Sequence, residues 1–139
     1  MPPLPWTTAP GADAGRDEVV VVMASLLRLD SVRRVPGFLR AAMAIRQQVL
    51  HADGALGVAL STALPRTFFT LSAWRDRDAL NAFVGSEPHV SSMRRYRPAM
   101  TDARFAFWNT TAANLPPSWS EAQPRLREAT PNSDPHQVI

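Results

Sequence analysis

The chain has 139 residues, 45% of them apolar and 19% charged, which suits one soluble domain with a real core. It contains no cysteine, which excludes a disulfide framework and thiolate chemistry, and its three histidines, at positions 51, 89 and 136, show no metal-ligand spacing. The net charge is +3, but all fifteen basic residues are arginines scattered along the chain, a pattern read as codon usage rather than a nucleic-acid footprint.

Residues 1–17 mix four prolines with Gly, Ala and Thr and are expected to form a flexible Pro-rich arm, with Trp6 tucked onto the domain's own surface. From Glu18 the run EVVVVMASLLRL is apolar on both faces, as in a central strand covered on both sides. The run is too short to cross a bilayer, and the N-terminus lacks the pattern of a signal peptide. The expectation is a cytoplasmic protein with no membrane or nucleic-acid partner.

Asp30 and Ser31 then offer turn or cap chemistry, and Phe38, Ala42, Ile45 and Val49 recur at helical spacing, with Pro36 in the first turn and Gly54 as the stop. ALGVALSTAL reads as a second strand and TFFTLSAW, ending at Trp74, as a third. Asp76 is the expected N-cap of a helix whose apolar face carries Leu80, Phe83 and Val84.

Gly85 and Pro88 imply a break after Val84. A new helix starting near 86–88 puts His89, Met93 and Tyr96 on one stripe at i, i+4 and i+7. Pro98 ends it, and ARFAFWNTT gives a fourth strand with Phe105 and Phe107 on one face and Arg104, Ala106 and Trp108 on the other. Ser118 and Glu121 stand at capping-box spacing, so a short helix from Trp119 is expected, limited by Pro124. The domain is expected to span residues 18–126, with 127–139 as a polar tail that includes His136.

The order β-α-β-β-α-β is the split βαβ of an α+β, ferredoxin-like fold. Because the first strand is apolar on both faces, the helix-free face of the sheet also requires cover, which a symmetric homodimer supplies without further elements.

FFTLSAWRDRDALNAFVGSEPHVSSMRRYRP, ARFAFWNTT and PPSWSEAQPRL together resemble proteins of the antibiotic biosynthesis monooxygenase-like group, which form dimeric α+β barrels. The strand ending in Ser-x-Trp, followed by a helix and a histidine, is also similar to spheroidene monooxygenase-like proteins. The resemblance covers about residues 18–126 and specifies fold better than chemistry.

The resemblance implies a pocket between helices and sheet, with Trp74, His89 and Tyr96 as catalytic candidates and Phe83, Met93, Arg94, Arg97 and Trp108 as substrate-binding ones. It further implies oxidation of an aromatic or polycyclic small molecule without a cofactor. In such chemistry the substrate supplies the electrons to dioxygen and the protein positions and stabilises the anion. Characterised oxygenases of this kind pair an asparagine with the tryptophan and tyrosine, whereas Asn81, Asn109 and Asn114 do not fall clearly at that place.

Each candidate also has a structural reading. His89, near a helix start, is held in the neutral form that accepts a proton or ligates a metal, or else it hydrogen-bonds a backbone carbonyl or Glu87 and stabilises that start. Trp74, Met93 and Tyr96 are equally core residues, and arginines suit a helix C-terminus. Two further readings are a haem protein of the same fold with His89 as axial ligand, which needs a larger cavity, and a non-catalytic small-molecule-binding dimer. No Gly-rich phosphate loop, HExxH or nucleophile elbow is present.

Overall fold

A computed structural model describes residues 4–63 and 65–131. The expected tail from residue 132, with His136, lies outside the described residues.

Val19–Leu29 forms β2, the long apolar strand at the centre of the architecture. It pairs antiparallel with β4 (Thr67–Trp74) on one side and β5 (Met100–Thr111) on the other. β4 pairs in turn with β3 (Ala55–Ala63), so the four expected strands stand in the ferredoxin-like order β3-β4-β2-β5. Helices α1 (Val35–His51), α2 (Arg77–Val84) and α3 (His89–Tyr96) connect them. No described helix is long and apolar enough to cross a membrane.

Local chemistry explains the boundaries. Pro36 sits in the first turn of α1, and Gly54 takes φ 82° at the turn into β3, a conformation that favours glycine. Asp76 caps α2 by accepting from Ala79 N at 2.8 Å. Between α2 and α3 the chain breaks at residues 85–88.

Two segments differ from expectation. Leu4–Thr8, read as part of a loose arm, forms β1, a fifth strand on the free edge of β3. Pro5 is tolerated there because an edge strand needs only one row of hydrogen bonds. The Trp6 ring lies over Gly57, where a Cβ would come within 2.3 Å of it.

The second difference is α4 (Trp119–Glu128), which runs past Pro124. Proline removes the N–H that would bond the Ser120 carbonyl, but Ser120 and Pro124 both face solvent, so water can satisfy it. α4 buries Ala122 and Leu126 against Val20, Val22, Leu71 and Ala73 on the helix-free face of the sheet. Much of the cover expected from a second subunit is thus supplied within one chain. The opposite face, under α1, α2 and α3, holds the other two core clusters.

Candidate functional site

The side chains under α1 do not close completely. They enclose a cavity of about 80 Å³ between α1 and the sheet. One water needs ~10–15 Å³ on this measure, so the space equals on the order of six waters.

Alternation decides which strand residues reach the cavity. Met23, Ser25 and Leu27 of β2 share the helix-covered face with Phe68, Thr70 and Ser72 of β4. From above, α1 contributes Phe38, Ala42, Ile45 and Val49, the stripe read from the sequence, together with Arg46. Phe83, His89 and Met93 complete the wall. The lining is therefore mostly apolar and aromatic, with few polar groups, as small-molecule sites are.

His89 is 8% exposed. Its Nδ1 donates to the Val84 carbonyl at 3.1 Å, and its backbone N–H donates to Gln48 Oε1 at 2.9 Å. A carbonyl can only accept, so Nδ1 carries the proton and, in the neutral ring, Nε2 is the basic nitrogen. The ring also packs on Phe83, with centroids 4.8 Å apart. Glu87 takes a different partner from the one considered for it, since its carboxylate accepts from both the backbone N–H and the hydroxyl of Ser91. Those two bonds hold the carboxyl below its usual range, the hydroxyl contributing most.

The remaining candidates separate. Trp74 is fully buried behind the wall: it stacks on Phe83 at 4.9 Å and donates from Nε1 to Ser72 Oγ at 2.9 Å. It touches two lining residues without lining the cavity itself. Tyr96 lies outside the lining, edge-on to Phe38 at 5.3 Å, with its hydroxyl against Gly37. Arg94 is exposed, and neither it nor Arg97 lines the cavity.

Trp108 points away from the cavity. Its position in β5 puts it on the α4 face, with the Arg125 guanidinium 4.5 Å from its ring centroid. The structure thus brings together Phe83, His89 and Met93, and sets Trp74, Tyr96, Arg94, Arg97 and Trp108 outside the cavity.

Several polar lining groups escaped the sequence reading, among them Ser25, Thr70 and Arg46. Ser25 and Thr70 are directly opposite in the β2–β4 register and hydrogen-bond through their hydroxyls. For Arg46, the spacing from Leu39 and Ala42, at i+7 and i+4, was the available signal. The arginines expected to meet haem propionates, Arg94 and Arg97, lie outside the lining of this cavity.

A family model described as a domain of unknown function, DUF3291, matches residues 19–134. No curated protein matches the chain. Among solved structures, a conserved protein from Methanosarcina mazei Go1 aligns at 12% identity and TM-score 0.59, covering 66% of this chain and 92% of that one. A mutant of SnoaB, a cofactor-independent oxygenase from Streptomyces nogalater, aligns at 13% identity and TM-score 0.54, covering 72% of this chain and 99% of its own. A structure named as antibiotic biosynthesis monooxygenase gives 15% identity and TM-score 0.58 over 66% of this chain and 98% of that one. At such identities the likeness is one of fold, the α+β ferredoxin-like fold of the antibiotic biosynthesis monooxygenase-like proteins.

Proposed function

The chain belongs to the DUF3291 family, a domain of unknown function, and we propose that its cavity binds a small aromatic molecule of one or two rings and oxidises it with dioxygen, without flavin or metal. The observation that carries this reading is His89, a histidine of fixed tautomer in the wall of an otherwise largely apolar cavity. The name of SnoaB, a cofactor-independent oxygenase of the same fold, adds support.

In this reading His89 Nε2 removes a proton from an activated CH₂ group or a phenol of the substrate. The resulting carbanion gives an electron to dioxygen, and the radical pair combines to a peroxide. Loss of water leaves a carbonyl, so that CH₂ and O₂ become C=O and H₂O, with all electrons coming from the substrate. The apolar walls strengthen the interaction between the substrate anion and the new imidazolium. Trp74 is a positioning residue here, because it holds Phe83 by stacking and Ser72 by a hydrogen bond.

The homodimer is part of the same proposal. Its surface is the part of the α4 face that α4 leaves half-buried, around Leu26, Phe69 and Ala106. A monomeric mass at micromolar concentration in light scattering removes it.

Oxygen uptake with hydroxynaphthalenes tests the chemistry. Turnover by the wild type, reduced about 10²-fold or more in His89→Gln, is the expected result. Binding of these compounds without uptake by the wild type reassigns the cavity to ligand binding alone.

A further inference from the structure

Among the described residues, Arg46 is the one permanently charged side chain in the cavity wall, and no aspartate or glutamate lines the cavity with it. Helix α1 carries no acidic residue, and among the described residues no carboxylate lies at ion-pair distance from Arg46. Its Nη2 donates to Thr7 Oγ1 of β1 at 2.8 Å, while its buried Nε has no hydrogen-bond partner. A half-buried guanidinium beside apolar walls, tethered only by a neutral hydroxyl, lacks the anion that usually compensates it.

Its position is specific. Arg46 and Gln48, two residues apart, project about 200° from one another round α1. Gln48 holds the backbone of His89, and Arg46 holds Thr7 on the edge strand. The cavity under α1 therefore has the imidazole on the α3 side and the positive charge on the β1 side, with aromatic and aliphatic walls between them. Leu4 of β1 and Met43 of α1, the latter 36% exposed, also line the cavity.

We infer that the cavity takes an aromatic carboxylate, its acid group held by Arg46 and its ring between α1 and β4. The planar guanidinium matches a carboxylate in two-point contact, which an ammonium cannot reproduce. Thr7, by tying Nη2, fixes the plane of the fork. This inference rests on the reading of the cavity as the ligand site, and not on the oxidation.

Calorimetric titration of 2-naphthoate and 2-naphthamide, which share the ring and differ in that the amide is neutral and has one acceptor oxygen in place of two, tests it. The wild type is expected to bind the carboxylate about tenfold or more tightly than the amide. In Arg46→Met the two should bind alike, with the amide affinity kept, and Arg46→Lys should retain part of the preference.

Equal binding of the two by the wild type, binding of neither, or a preference that survives in Arg46→Met overturns the inference. The wild-type comparison stands even where the methionine variant fails to fold. Oxygen uptake is scored separately. A carboxylate preference without uptake leaves the anchor and removes the oxidation, whereas uptake of neutral hydroxynaphthalenes without a preference does the reverse.

Discussion

His89 Nδ1 donates to the carbonyl of Val84 at 3.1 Å, so the side chain that opens α3 satisfies the last residue of α2. Carbonyls in the last turn of a helix lack intrahelical partners, and the imidazole supplies one. The structural role and the proposed basic role therefore use different nitrogens of one ring, and substitution can part them. In His89→Asn the amide can still donate to Val84. We expect a loss of less than about 1 kcal/mol in urea unfolding, against about 1–3 kcal/mol for His89→Ala. Both variants should lose oxygen uptake, because neither has a base. Uptake retained in the asparagine variant rules out the imidazole as that base.

Ser72 and Trp74 stand two apart on one strand face, where the hydroxyl accepts from a fully buried indole N–H. Ser72→Ala leaves that donor unsatisfied and should cost about 1–3 kcal/mol. In the Trp74→Phe background the donor is already gone, so the same serine change should cost much less. The measurement is a double-mutant cycle by chemical denaturation. Additive costs in the two backgrounds would mean that the hydrogen bond contributes no coupling.

Features governed by local chemistry were legible in the sequence. Examples are the caps at Asp76 and Ser118, the stop at Gly54 and the break between Val84 and His89, each fixed by a side chain and backbone within a few residues. Features that need a distant partner were not. Pro5 argues against a strand until β3 offers it an edge, and Trp6 has a seat only because Gly57 lacks a side chain. Pro124 argues against a continuous helix until Ser120, whose carbonyl it leaves unpaired, is placed on the exposed face. The site divided in the same way. The spacing of His89 and Met93 marks a shared helix face, but the Ser25–Thr70 pair depends on a strand register that no single segment encodes.

The seat of Trp6 provides a second cycle. An added Cβ at residue 57 would come within 2.3 Å of the Trp6 ring, so Gly57→Ala should push the indole out and loosen β1. The expected cost is about 1–3 kcal/mol, the usual range for overpacking. With Trp6 already shortened to alanine, the same glycine change should be nearly neutral. Indole fluorescence reports the displacement directly, in a background where Trp74, Trp108 and Trp119 are replaced by phenylalanine. An unshifted emission in Gly57→Ala would show that the strand accommodates the methyl group without moving Trp6.

Glu87 gives the start of α3 a pH dependence of defined sign. Its carboxylate accepts the Ser91 hydroxyl and the Ser91 backbone N–H, the latter at 2.9 Å, and these bonds lower its pKa in the folded chain. A carboxyl whose folded value is depressed adds stability above its unfolded value, about 4.3 for glutamate, and that contribution fades as pH falls through the lower folded value. Wild type should therefore exceed Glu87→Gln in stability at pH 7, and the gap should close as pH drops below the ordinary glutamate range. Thermal melts of both proteins from pH 7 to pH 3 measure it, the difference cancelling the other carboxylates. A gap that stays constant with pH would mean that the charge on Glu87 contributes nothing. Because residue 87 is two positions before His89, the same acid titration should loosen the helix start that positions the imidazole.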